Sequence, residues 1–257
     1  MSKKVSPAFI FAKGLIRFFY LKMEVVGTEN LPDEPCIVAA NHTQMNGPIA
    51  CELYFPGSHY TWCAGEMMSM KDVPAYAFKD FWFEKPRATR WMYKILSYLI
   101  APLSAFIFQN ANTIGVYHDT RILTTFRNTL SALQDDANVI IFPEEYKPHN
   151  HILYNFQEGF IDIARFYFRK TGKALPFVPM YIAPRLKKMF IGKPICFNPE
   201  NQIETERRRI CDYLMDEITK IARALPEHTV IPYRNIPRKL YPTNISPEVN
   251  KHEKTSC

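Results

Sequence analysis

Cys36-Ile37-Val38-Ala39-Ala40-Asn41-His42-Thr43-Gln44-Met45-Asn46-Gly47 is an apolar run that stops abruptly at Asn-His and a polar turn. The run is short, β-branched at Ile37 and Val38, and follows the turn-forming Leu31-Pro32-Asp33-Glu34-Pro35. These features predict a buried strand rather than a helix. Such a strand delivers His42 to its end, where a rigid scaffold can present a reactive side chain. The competing reading is an Asn-His capping turn without chemistry.

Strand and helix patterns alternate outward from this stretch. Val25-Val26-Gly27, Tyr60 to Ala64, Thr113 to Tyr117, Val139 to Phe142, Phe177 to Ile182 and Lys188 to Gly192 read as strands. Pro48 to Tyr54, Thr120 to Leu133 and Phe156 to Tyr167 read as helices, and a closing helix carries Ile210, Leu214, Ile218, Ile221 and Leu225 on one face. The alternation predicts a single α/β domain over residues 24–226. The 257 residues, 47% of them hydrophobic, suffice for one large core. After Pro226 the prolines at 232, 237, 242 and 247 mark a tail over 227–257 that wraps the surface or is disordered.

Charge and cysteines bound the partners. The 32 Lys and Arg against 25 Asp and Glu leave a formal charge of +7, which favours an anionic partner. Lys3, Lys4, Lys13, Arg17 and Lys22 all precede the first acid, Glu24, among many aromatic and aliphatic residues. Residues 1–23 thus read as a basic amphipathic helix, interfacial at a lipid surface or packed on the domain; Lys13 and Arg17 interrupt it too soon for a membrane span, and no small-residue cleavage site follows an apolar core as a signal peptide requires. Ile95 to Phe108 is a second uncharged run, flanked by Lys85, Arg87, Arg90, Lys94, Trp82 and Trp91. With Pro102 inside it, this run falls short of a span and reads as a core helix or an interfacial segment, making 65–110 a membrane-facing insertion. Six cysteines without C-x-x-C spacing point to a reducing, cytosol-facing location and to no metal site. No P-loop, cofactor motif, repeat or nucleic-acid motif is present, so the expectation is no cofactor and no nucleic-acid partner.

Two strand ends present polar groups, Asn41-His42 after one and Glu144 with Lys147 after the other. In this order the chain resembles the glycerolipid acyltransferase family of 1-acylglycerol-3-phosphate acyltransferase type, over residues 24–197. Asn41-His42 resembles the start of its Asn-His-(four residues)-Asp motif, and Phe142-Pro143-Glu144-Glu145-Tyr146-Lys147 resembles its Phe-Pro-Glu-Gly motif with the following Thr and Arg. Phe156-Gln157-Glu158-Gly159, Val178-Pro179-Met180 and Ile191-Gly192-Lys193-Pro194-Ile195 are similar to three later family segments. The departures are equally definite. Gly47 stands at the motif Asp with Asn46 one place earlier, His118 stands at the second motif's Arg, and Glu145 and Lys147 replace Gly and Arg in the third.

The resemblance implies a central mixed sheet flanked by helices, with an N-terminal interfacial helix. It implies His42 as general base, oriented by Asn46, on a hydroxyl that attacks an acyl thioester. Glu144, Lys147, His118, Arg121 and Glu145 would form the acceptor region, Arg121 compensating for the lost cations. The expected function is acyl transfer from acyl-CoA or acyl carrier protein to a lysophospholipid or related glycerolipid, at the cytoplasmic face of a membrane as a peripheral or monotopic protein. Membrane lipids are the expected partners. The alternative is a lipid-binding relative that keeps the fold without catalysis.

Overall fold

A computed structural model describes residues 6–20, 22–82, 85–117 and 119–245. His118 and the last part of the tail, 246–257, lie outside the described residues. The strands are β1 (Glu24–Val26), β2 (Ile37–Ala40), β3 (His59–Ala64), β4 (Thr113–Val116), β5 (Asn138–Ile141), β6 (Glu144–Pro148), β7 (Tyr154–Phe156), β8 (Pro176–Ala183), β9 (Lys188–Ile191) and β10 (Ile195–Cys196). The α-helices are α1 (Pro7–Phe19), α2 (Asn46–Tyr54), α3 (Val73–Ala77), α4 (Arg90–Asn110), α5 (Ile122–Gln134), α6 (Asp162–Thr171) and α7 (Ile203–Arg223).

The main sheet runs β1-β9-β8-β2-β5-β3-β4, with β10 beside β8. β8, β2, β5, β3 and β4 are mutually parallel, whereas β9 and β10 pair antiparallel with β8, so the sheet is mixed. The chain is thus an α/β domain with a central mixed sheet and helices on both faces. β2 and β8 are buried at every residue, as expected for central parallel strands covered on both sides. Alternation then divides them. Ile37 and Ala39 join Val139, Ile141 and Phe177 in a core with α5, α6 and α7, while Val38 and Ala40 join Val178, Met180 and the α2 residues Ala50 and Cys51 on the other face.

This topology creates one crevice. β2 leads through α2 to β3 on one side, and its neighbour β5 leads through α6 to β8 on the other. Adjacent parallel strands whose connections leave in opposite directions open a cleft at their carboxyl ends. Asn41-His42 and Phe142-Pro143-Glu144 follow those two strands directly.

Two elements differ from the sequence reading. Phe156 belongs to a hairpin rather than a helix, because Tyr154–Phe156 pairs antiparallel with β6 and Gln157 N–H donates to the Pro143 carbonyl, 2.8 Å. The regular helix begins only at Asp162. The run around Pro102 continues as one helix over Arg90–Asn110, and Arg87–Asn110 is long and apolar enough to cross a membrane, its most apolar 18 residues having mean hydropathy 1.4 and being 22% buried. The uncharged run is shorter than the helix because Arg90 and Lys94 lie within its first turns.

Helix α1 packs against α2. Its start is capped by the Ser6 hydroxyl, which accepts from Phe9 N–H at 3.2 Å, and Lys13 pairs with Glu52 of α2 at 2.7 Å. It also touches α4. Phe11, Phe18 and Phe19 of α1 and Trp91, Tyr98, Leu99 and Leu103 of α4 are exposed, forming apolar faces that the fold leaves uncovered.

Candidate functional site

The segment after β2 is built to hold one side chain. Asn41 is buried and bridges to the β8 backbone, its Nδ2 donating to the Ile182 carbonyl at 3.1 Å and its Oδ1 accepting from Ile182 N–H at 2.7 Å. It extends the β2–β8 pairing by one side-chain rung. Thr43 and Gln44 then adopt left-handed backbone, φ 47° and 55°, before α2 begins at Asn46. Left-handed backbone costs a non-glycine residue roughly 1–2 kcal/mol, and a β-branched threonine is a genuine outlier there. Strain of this kind collects at functional sites, where surrounding bonds hold it in place.

His42 lies between these two features. Its N–H donates to Glu144 Oε1 at 2.6 Å, and Tyr154 N–H donates to Glu144 Oε2 at 2.9 Å. Glu144 is 3% exposed, so the carboxyl ties the ends of β2, β5 and the β6–β7 hairpin together. Burial pushes its pKa up to about 7, with the two N–H donors pulling the other way. The imidazole of His42 packs against the rings of Phe142 and Tyr233, with centroids 5.1 and 5.6 Å away. Burial pulls its pKa down to about 4, a trend only partly opposed by the Gln44 backbone. The ring is therefore neutral at pH 7. Nδ1 is buried, yet no hydrogen-bond partner for it stands among the described residues, and the neighbouring Thr43 hydroxyl shares that condition. A buried polar atom without a partner asks for an explanation, and a catalytic role is one of the few available.

The imidazole opens on a cleft of about 550 Å³. Trp62, Ala64, Val116, Ile122, Phe126, Ile141 and Phe160 line it with Phe142 and Tyr233. Trp62 is held rigid by its indole N–H, which donates to the Thr129 hydroxyl at 2.9 Å. Among the described residues Glu66, Glu144 and Asp162 are the carboxylates of the wall, and no Lys or Arg lines it. Asp162 is engaged by a bidentate pair with Arg207, at 2.8 and 2.6 Å.

The structure brings together some of the sequence-predicted residues and separates others. His42 and Glu144 share the crevice, but both Glu144 oxygens are occupied by backbone donors. The Asn46 side chain turns back to the Thr43 carbonyl, 3.1 Å, closing its own turn instead of meeting the imidazole. Glu145 and Lys147 do not line the cleft, and Lys147 is exposed on β6. Arg121 is bound bidentate to Asp119 and lies over the Tyr117 ring, 4.1 Å from its centroid, so its charge is already matched. Gly47 sits where a side chain cannot. A Cβ there would stand 2.4 Å from the His42 carbonyl and 2.9 Å from Phe142 Cε1, so the motif Asp has no room.

Tyr233 escaped the sequence reading. It comes from the proline-rich tail, whose described part is docked rather than loose. Asn244, fully buried, donates to the Ala222 and Leu225 carbonyls at the end of α7, 2.8 and 3.1 Å, and accepts from His228 N–H at 2.8 Å. His228 in turn shares a hydrogen bond with Tyr181 Oη at 2.8 Å. A bridge between Thr229 and Thr243 closes a loop over 230–242. The only local sign was Tyr233 between Pro232 and Arg234, a pattern shared with any surface turn.

No family model and no curated protein matches the chain. Among solved structures the chain is similar to the 1-acyl-sn-glycerophosphate (LPA) acyltransferase PlsC from Thermotoga maritima, at 18% identity and a TM-score of 0.45, covering 83% of this chain and 78% of that one.

Proposed function

We propose that the chain is an acyltransferase working at a membrane surface, which moves a fatty acyl group from an acyl thioester to a hydroxyl of a lysophospholipid or related glycerolipid. The observation that carries this reading is the neutral His42 imidazole, its Nδ1 buried and without a hydrogen-bond partner among the described residues, at the head of an apolar cleft of about 550 Å³. That volume lies within the range of about 300–1,000 Å³ common for small-molecule sites. Neutral imidazole is the form that can accept a proton.

In the proposed reaction the imidazole takes the acceptor hydroxyl proton as that oxygen attacks the thioester carbonyl. A tetrahedral oxyanion forms and collapses with loss of thiolate, which recovers the proton from the imidazolium. The ester is the product, and no acyl-enzyme is needed. Glu144 fixes the backbone from which His42 projects and so acts as a positioning residue. The exposed aromatic and aliphatic faces of α1 and α4 support placement on lipid, since contiguous apolar surface of this kind marks interaction sites.

The test is acyl transfer from acyl-CoA, and separately from acyl carrier protein, to a panel of lysolipids followed by mass spectrometry of the lipids. His42→Ala is expected to lower turnover by about 100-fold or more. A competing reading is lipid binding without catalysis, favoured by the Tyr233 ring that covers the imidazole. Equal background rates for wild type and His42→Ala would establish that reading instead.

A further inference from the structure

We propose that the cleft seats the ammonium head of an amphiphile between the Glu66 carboxylate and the rings of Tyr76 and Tyr233, while the chain of that amphiphile fills the apolar part of the lining. The proposal rests on the reading of this cleft as the acyl-transfer site, and it names the acceptor class of that same site.

The sign of the cleft opposes the sign of the chain. A formal charge of +7 favours anions, yet among the described residues the wall holds three carboxylates and no Lys or Arg. Two of the three are committed. Both Glu144 oxygens accept backbone N–H groups, and Asp162 is held by Arg207. Glu66, half-buried in the short turn after β3, makes no side-chain hydrogen bond or ion pair among the described residues. Lys79 bears on Asp80 and Arg121 on Glu66, but neither cation lines the cleft, and Arg121 is already bidentate to Asp119. A cationic ligand would supply the missing countercharge, whereas a phosphate would meet only repulsion.

The rings supply the second half of the seat. Tyr76 and Tyr233 line the same cavity as Glu66. Tyr233 packs on His42, Tyr146 and Tyr154, with centroids 5.6, 5.4 and 5.9 Å away, so three neighbours hold it in place. The Gln44 side chain tethers the same loop by donating to Tyr241 Oη at 3.0 Å. Burial pushes the Tyr76 phenol well above its usual range, and Asp80, Tyr233, Glu66 and Tyr146 push it the same way. The Tyr233 phenol is pushed up to about 12 by burial first, then by Tyr146, Asp80 and Glu144. Both phenols stay neutral at pH 7, and both sit in the negative potential of one group of acids. Aromatic faces attract ammonium groups, most strongly where water is scarce, and several rings around a carboxylate form the usual cage for such a head. The remaining lining, with Trp62, Val116, Ile122, Phe126 and Phe160, carries no charge and suits a hydrocarbon chain.

The test is calorimetric titration of the full chain with dodecyltrimethylammonium, 1-O-dodecyl glycerol and dodecyl phosphate, all below micelle concentration, and with choline as the head without a chain. Wild type is expected to bind the ammonium compound most tightly and the phosphate most weakly, against the preference set by net charge. Glu66→Gln is expected to weaken dodecyltrimethylammonium by about tenfold and to leave 1-O-dodecyl glycerol unchanged. Tyr76→Phe keeps the ring and should keep the affinity, whereas Tyr76→Leu should lose several-fold for the ammonium compound alone. Glu200→Gln, an exposed acid between β10 and α7, is the control for net charge and should change nothing. Equal or tighter binding of dodecyl phosphate, unchanged ammonium binding in Glu66→Gln, or equal loss for the charged and uncharged compounds overturns the proposal. Choline binding as tightly as dodecyltrimethylammonium also overturns it, by making the ligand a free ammonium compound. Failure here and failure of the transfer reading are distinguishable. Ammonium-selective binding without acyl transfer by wild type to any lysolipid keeps the seat and removes the reaction. Acyl transfer abolished in His42→Ala, in a protein without ammonium preference, keeps the reaction and removes the seat.

Discussion

The Tyr233 ring stands edge-on to the His42 imidazole, with centroids 5.6 Å apart and planes at 64°, although one residue follows the second strand and the other belongs to the C-terminal tail. Together with Phe142 it withdraws the imidazole from water, and that withdrawal sets the ring's basicity.

Removing Tyr233 should therefore return His42 toward ordinary behaviour. In Tyr233→Ala the imidazole pKa is expected to rise from about 4 toward 6.5, measured by NMR titration of the ring proton assigned with His42→Gln. Tyr233→Phe should leave it low. A value near 4 in Tyr233→Ala would assign the desolvation to Phe142 and the rest of the wall.

His42 and Glu144 give opposite dependences of stability on pH. The folded chain holds His42 near 4 against 6.5, so this contribution is full above 6.5 and is lost as pH falls toward 4. It holds Glu144 near 7 against 4.5, so that contribution is full below 4.5 and is lost as pH rises toward 7. Between 4.5 and 6.5 the two oppose each other. In His42→Ala the melting temperature should fall with rising pH across this window, and in Glu144→Gln it should rise. The wild type should show the flattest profile of the three. Parallel slopes in all three proteins would contradict the assignment.

Gly47 should tolerate no side chain. Gly47→Ala puts a Cβ against the His42 carbonyl, a backbone atom that moves only with the strained turn, and should cost about 1–3 kcal/mol in urea unfolding. Gly47→Asp should be worse and should not raise activity, because the carboxylate cannot occupy that position without displacing His42.

Asn244 should control the loop that covers the site. Asn244→Ala leaves the His228 N–H and the last carbonyls of α7 without their partner, a loss of about 2–4 kcal/mol on the usual cost of abandoned buried groups. Limited proteolysis should then cut between 230 and 242 well before the sheet is attacked, and the His42 pKa should rise as it does in Tyr233→Ala. Cutting elsewhere first would show that the loop is held mainly by its tyrosine contacts.

The fold was legible wherever hydrophobic period decided it. The uninterrupted apolar character of Ile37 to Ala40 and Phe177 to Ile182 marks buried parallel strands, and both are central. The β6–β7 hairpin was not legible, because Glu144 to Lys147 is polar and its pairing with Tyr154 to Phe156 is tertiary information. Within the site, His42 stood out because it ends an apolar run. Asn46 drew attention by spacing alone, yet the left-handed Thr43 and Gln44 turn it away, and no local pattern announces left-handed backbone at a threonine. Tyr233 required knowing where a proline-rich segment docks, which depends on Asn244 reaching the end of α7.

The docking of that segment also orders events during synthesis. Every strand from β1 to β10 and every helix from α1 to α7 emerges before Asn244 does. The nascent chain can assemble its sheet while His42 is still uncovered and Gln44 still lacks Tyr241. Closure of the cleft mouth thus follows assembly of the sheet, because Tyr233 and Asn244 come after every strand in the order of synthesis.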